Sequence, residues 1–153
     1  MIETAAHKRI LVIGCGSSGR RHSGILREMG VARLGVCELD DELRRKLQKE
    51  VAPDFCFRNI AEVRWGEFDG AVIAVPAHLH LALAGSCLEH RVPFLMEKPI
   101  AASLDGTDSL IEAVARQRLP ARVAYQRRHS LATLAQAQHV LRCCLQILAG
   151  NQR

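Results

Sequence analysis

Aromatic side chains are scarce in this chain: one Trp, one Tyr and four Phe make up 4% of its 153 residues. Surfaces that bind single-stranded nucleic acid stack bases on such rings, so a stacking platform is not expected here. The net charge of +5 suits an acidic partner, but the basic residues are spread along the chain. Arg20-Arg21 and Arg127-Arg128 are short pairs and form no stripe, so the sequence predicts no nucleic-acid partner. Long apolar runs are also missing: none approaches the roughly 18 residues a membrane helix needs, and no membrane association is expected. The segment Met1 to Arg9 lacks the apolar core of a secretory signal, which makes the cytoplasm the expected location. The six cysteines, at positions 15, 37, 56, 87, 143 and 144, include no C-x-x-C pair. Neither a disulfide framework nor a metal site is expected from that spacing, and thiols in apolar strands behave as small hydrophobes.

What the sequence does have is regular alternation. Hydrophobic residues at 48% and charged residues at 24% suit a globular domain of ordinary size. Lys8–Gly14 (KRILVIG) is a compact, branched apolar run, as in a strand buried on both faces. Ser17–Met29 reads as a helix stopped by Gly30, and Arg33–Glu38 as a second strand. Asp40 predicts the cap of a helix through Glu50, and Asp54–Arg58 a short third strand. One or two helical turns follow over Asn59–Trp65. Gly70–Val75 (GAVIAV) is the clearest strand; Pro76 ends it, and Ala77–His90 reads as the next helix. Pro93–Met96 is a fifth strand, Ser103 the predicted cap of a helix to about Arg118, and Arg122–Tyr125 a last strand. Strands separated by helices of this length imply an α/β fold, a doubly wound and mainly parallel Rossmann-type sheet with helices on both faces. Residues 129–153 differ. Ser130–Ala149 is rich in Ala, Leu and Gln, and Leu131, Leu134, Val140, Leu141, Leu145 and Leu148 fall on one side of a helix. The expected division is a dinucleotide-binding domain over 1–128 and a C-terminal helical tail over 129–153, which either covers the sheet or mediates association.

The first strand-to-helix turn carries Gly14-Cys15-Gly16-Ser17-Ser18-Gly19. A lone G-x-G-x-x-G says little, but between a strand and a helix it has a mechanism. Gly14 permits the tight turn, Gly16 lets backbone approach a pyrophosphate, and Gly19 lets helix pack on strand. The helix N-terminus then offers unpaired N–H groups to the anion. Glu38 stands 24 residues after Gly14 at the end of the second strand, where a carboxylate accepts from adenine-ribose hydroxyls. It repels a 2′-phosphate, so NAD is favoured; Arg44 and Arg45 nearby leave NADP open, and Asp40 is placed to share the role of Glu38.

Three segments in order resemble the Gfo/Idh/MocA oxidoreductase family: GCGSSGRRH at 14–22, AVPAHLH at 74–80, and Glu97-Lys98-Pro99. The segment Tyr125-Gln126-Arg127-Arg128-His129 is similar to the end of the family's sixth strand. The resemblance implies that Gly14, Cys15, Gly16, Ser17, Ser18 and Gly19 hold the pyrophosphate of a nicotinamide dinucleotide and that Glu38 holds its ribose. It implies that Pro76 and His80 meet the cofactor, and that Glu97 and Lys98 lie near the nicotinamide. Pro99 would set the turn, in the family often after a cis bond. Lys98 is then the catalytic candidate: its ammonium bonds a substrate hydroxyl and stabilises the oxyanion, with Glu97 orienting it. The implied substrate is a sugar or polyol. His22 reads as structural, and Arg127 and His129 are expected near the edge of the site.

Members of that family continue into a second domain that carries most substrate contacts, and residues 129–153 contain no counterpart of it. Three readings follow: an oxidoreductase completed by a partner chain, a non-catalytic dinucleotide-binding module such as a sensor or regulatory subunit, or a truncated inactive gene product.

Overall fold

The computed structural model describes residues 5–125. The expected tail helix, Arg127 and His129 therefore lie outside the described residues. Six strands form one sheet: β1 (Arg9–Ile13), β2 (Arg33–Cys37), β3 (Phe55–Phe57), β4 (Gly70–Ile73), β5 (Phe94–Met96) and β6 (Ala121–Val123). Their order is β3-β2-β1-β4-β5-β6, and every neighbouring pair is parallel. Four helices alternate with them: α1 (Ser17–Glu28), α2 (Asp41–Val51), α3 (His80–Glu89) and α4 (Thr107–Gln117).

Strand periodicity divides the core. Successive side chains leave a strand on opposite faces. Val12, Leu34 and Val36 pack with Leu26 of α1 and with Leu43 and Leu47 of α2. Leu11, Ile13, Ala71 and Ile73 face the other way, against Ala84, Cys87 and Leu88 of α3 and Leu110 and Val114 of α4. A sheet buried on both faces needs continuous apolar strands, which is why β1 and β4 read as unbroken runs. Three of the four Phe gather beside β3, with ring centroids of Phe55, Phe57 and Phe68 6.0–6.3 Å apart.

Two element starts differ from expectation. Ser103 does not cap α4: its hydroxyl donates to the Asp105 carboxylate and accepts from the Asp105 amide, closing a turn. The helix begins at Thr107 behind Gly106, whose φ of +82° reverses the chain first. Beyond Pro76 the chain makes a 3₁₀ turn over Ala77–Leu79 before α3 begins at His80. The strand order reverses between β1 and β4, so α1 and α3 leave the sheet on opposite faces. Their divergence opens a crevice at the C-terminal ends of those strands, where open α/β sheets bind ligands.

Candidate functional site

The crevice begins at the loop after β1. Gly14 has φ of +95°, and a Cβ there would lie 2.5 Å from the Ala74 carbonyl oxygen, so no other residue fits. A Cβ on Gly19 would lie 1.8 Å from the Gly14 carbonyl oxygen, and this close contact seats α1 on its strand. Gly16 is different: a Cβ there meets nothing within 4 Å. At Gly16 the loop is open to the space outside the domain. Helical geometry leaves the first N–H groups of α1 without intrahelical acceptors. No side chain caps them, and the first turn, which holds Ser17 and Ser18, contains no acidic residue. By contrast the Asp40 carboxylate caps α2, accepting from the Glu42 and Leu43 amides at 2.8 and 3.0 Å. An uncapped helix end behind an open glycine fits a diphosphate.

Glu38 closes the same loop from β2. Its Oε2 accepts from the Cys15 amide at 2.7 Å, and its Oε1 from the Asp40 amide at 3.0 Å. Buried Arg44 donates to the Glu38 carbonyl at 2.9 Å and pairs with Asp41. Two backbone donors leave lone pairs on the carboxylate, enough to accept from a pair of vicinal ribose hydroxyls. Asp40 is committed to its cap and Arg44 to the chain it holds, which leaves Glu38 as the carboxylate with acceptor capacity to spare at this end of the loop. The Cys15 thiol is fully buried, and burial, followed by the Glu38 charge, pushes it up to about 12. It is an inert packing group; the loop contributes backbone at this position.

From Gly14, Gly16 and Glu38 a groove of about 490 Å³ runs toward Pro76, walled by Leu39, Leu43, Ile60 and Leu79. An apolar slot with a carboxylate and free amides at one end suits a flat base joined to a charged linker. Cys15, Ser17, Ser18 and Gly19 are not on its wall, and neither are His80, Glu97 and Lys98.

Glu97, Lys98 and Pro99 follow β5 at the same end of the sheet. Glu97 is only 6% exposed. Its Oε1 accepts from His22 Nε2 at 2.8 Å and from Arg21 Nη2 at 3.2 Å, and its Oε2 from the Lys98 amide at 3.3 Å. Burial raises this carboxyl, but the His22 hydrogen bond, the Lys98 amide and the charges of His22 and Arg21 outweigh it, leaving the group below its ordinary value. Lys98 itself is exposed, and no protein partner holds its ammonium among the described residues. The Lys98–Pro99 bond is cis. His80, which the resemblance would bring to the cofactor, is 1% exposed. Its Nδ1 lies 2.8 Å from the Pro99 carbonyl oxygen and its Nε2 2.9 Å from that of Val75. With both ring nitrogens facing main chain, His80 reaches the groove only through the backbone it joins.

The sequence reading gave His22 as structural and Arg44 only as tolerant of a phosphate; the structure ties His22 to Glu97 and Arg44 to the Glu38 carbonyl. The signal for His22 was its place one turn beyond Gly19, on the side of α1 that turns toward the sheet. Arg44 follows the Asp40 cap by one turn, which brings its guanidinium back to the end of β2.

Strand order, the uncapped glycine loop and the acidic end of β2 define a dinucleotide-binding α/β domain. Residues 8–125 match the Gfo/Idh/MocA family, described as an oxidoreductase family with an NAD-binding Rossmann fold. The chain belongs to this family, its matched region is the NAD-binding domain, and its cofactor is NAD. It is 28% identical over 118 residues to myo-inositol dehydrogenase Hyg17 of Streptomyces leeuwenhoekii, covering 77% of this chain and 36% of that protein. It is 31% identical over 125 residues to inositol 2-dehydrogenase 1 of Saccharopolyspora erythraea, covering 78% and 37%. The fold is shared with the WlbA dehydrogenase of Bordetella pertussis, solved with NADH and UDP-GlcNAcA. That match has a TM-score of 0.75 at 20% identity, over 84% of this chain and 41% of that one. The chain thus spans little more than a third of the length of the curated relatives it matches. No helix among the described residues is long and apolar enough to cross a membrane.

Proposed function

We propose that this domain presents NAD(H) for hydride transfer to or from a hydroxyl-bearing carbon of a sugar- or polyol-type substrate, with Lys98 as the catalytic residue. The observation that carries the reading is Lys98: an exposed ammonium, without a partner among the described residues, that follows a buried, tethered carboxylate at the C-terminal end of β5. The amides around Gly14, Cys15, Gly16, Ser17, Ser18 and Gly19 hold the diphosphate, Glu38 the adenine ribose, and Pro76 the wall of the groove. Glu97 faces the nicotinamide end. Bound NAD supplies the hydride acceptor. Lys98 donates a hydrogen bond to the oxygen on the reacting carbon and stabilises the negative charge that develops there. Such a preorganised donor is worth about 3–4 kcal/mol when removed. The inositol dehydrogenases among the relatives support a polyol as the first substrate to try. The buried free thiols of Cys15, Cys37 and Cys87 suit a reducing compartment, and we place the reaction in the cytoplasm.

Nicotinamide fluorescence during titration with NADH tests binding, and absorbance at the nicotinamide band with a panel of inositols and sugars tests turnover. Lys98→Ala should spare NADH binding and remove turnover. Turnover unchanged in Lys98→Ala would refute the role of Lys98. Tight NADH binding with no turnover on any substrate would leave a dinucleotide-binding module in place of an enzyme.

A further inference from the structure

Lys98 sits on a short exposed segment, yet the residues on either side of it are tied to the body of the domain by two histidines from two different helices. Ahead of Lys98, His22 of α1 donates from Nε2 to Glu97 Oε1 at 2.8 Å. The other oxygen of that carboxylate turns back to accept from the Lys98 amide at 3.3 Å. Beyond Lys98, His80 at the start of α3 lies 2.8 Å from the Pro99 carbonyl oxygen and 2.9 Å from that of Val75. A continuous polar path therefore runs from α1 through Glu97, the Lys98 amide, Pro99 and His80 to the chain beyond β4. It joins α1 to the turns that follow β5 and β4, and the exposed Lys98 side chain has no partner among the described residues.

The burial pattern makes the path more than incidental. The His22 side chain is 17% exposed, that of Glu97 8%, and His80 1% as a residue. Polar groups out of water are costly unless paired. Glu97 accepts from His22, Arg21 and the Lys98 amide, and both ring nitrogens of His80 face carbonyl oxygens, of Pro99 and Val75. A neutral imidazole donates a single hydrogen and bonds one of the two carbonyls at His80, whereas the protonated ring bonds both. The ring lies between the strand-four turn, which carries Pro76 on the groove wall, and the turn that carries Lys98, and it hydrogen-bonds both when protonated and one of them when neutral.

We propose that His22 and His80 are positioning residues that clamp the Glu97–Pro99 segment from α1 and α3 and so set the aim of the Lys98 ammonium. The phosphate loop and Lys98 are then coupled mechanically, because α1 starts at the diphosphate site and holds Glu97 one turn later. The inference rests on the reading of Lys98 as the group that meets the nicotinamide end of the cofactor.

The chain has four lysines, at 8, 46, 49 and 98. With lysine labelled at Cε, each gives one ε-methylene NMR signal, and Lys98→Ala assigns the one of interest. Spectra of the full chain are recorded without NADH and at saturating NADH, so differences in affinity do not enter. The wild-type Lys98 signal is expected to shift on saturation; no shift there would remove the Lys98 reading itself. With that shift established, His22→Leu and His80→Leu should each lose more than half of it and broaden the signal. His22→Gln, which keeps an N–H near the position of Nε2, should restore it. A full-sized shift in His22→Leu would overturn the clamp while leaving Lys98 at the cofactor. Should His80→Leu fail to fold, the His22 pair decides alone. Failure of His22→Gln to recover any of the shift lost in His22→Leu would also overturn the proposal, since loss would then follow packing and not the hydrogen bond to Glu97.

Discussion

Gly16 stands at the head of α1 with φ of −64° and ψ of −171°, a backbone conformation open to any residue. Since a Cβ there meets nothing within 4 Å, valine is expected to enter without strain. The chain should fold as before, and its thermal midpoint without cofactor should move by no more than about 2 °C, the order of a surface change. Cofactor binding should behave differently. The space that the two methyl groups fill is the space in which a diphosphate approaches the uncapped amides of α1. Losing two charge-assisted hydrogen bonds at about 1.5–3 kcal/mol each costs about 3–6 kcal/mol. At about 1.4 kcal/mol per tenfold, NADH affinity should fall by roughly 10²–10⁴-fold. Titration followed by nicotinamide fluorescence measures the loss, and a melt of the same preparation establishes that the chain is folded. Wild-type affinity in a folded Gly16→Val chain would refute the assignment of the loop. A chain that fails to fold would show that Gly16 serves the fold after all, contrary to the open space around it.

Gly19→Ala should do the opposite, since its Cβ would fall 1.8 Å from backbone; a loss of about 1–3 kcal/mol or more is expected by denaturant unfolding, and a stability within about 0.5 kcal/mol of wild type would refute the close packing of α1. Glu97 gives a pH dependence. Its carboxyl is held below the ordinary 4.5, so its stabilising contribution is present above that value and is lost as pH falls below 4.5 through the folded-state value. His22→Leu removes the main hydrogen bond that lowers it, so acid unfolding should move to higher pH, and coincident acid profiles would contradict the pairing. Glu38→Ser should weaken NADH and narrow its advantage over NADPH by roughly tenfold or more, as a repelling carboxylate and its ribose hydrogen bonds are lost. Competition binding of the two cofactors reads this directly, and an unchanged ratio would take the ribose away from Glu38.

The features legible in the sequence are those whose causes are local. The apolar runs of β1 and β4 announce strands covered on both faces because each residue's burial is set by its own alternation. The glycine loop is legible because strand, turn and helix are consecutive, and Glu38 because a single βα unit fixes its distance from Gly14. Local signals also mislead where two compete. Ser103 and Gly106 both offer a start for α4, and the reversal at Gly106 wins, leaving Ser103 to close a turn with Asp105. The family resemblance would bring His80 to the cofactor, and the packing of α3 instead turns its ring inward to main chain.

By itself the sequence determined the order of strands and helices along the chain, the glycine turn between β1 and α1 and the place of Glu38 at the end of β2, since those depend on contacts within one βα unit. Only the tertiary structure decided that His22, Glu97 and His80 form one support around Lys98. Their partners lie 75 residues apart for His22 with Glu97 and 19 for His80 with Pro99. They meet because parallel strands bring every C-terminal end to the same edge of the sheet, a coincidence in space that no spacing along the chain records.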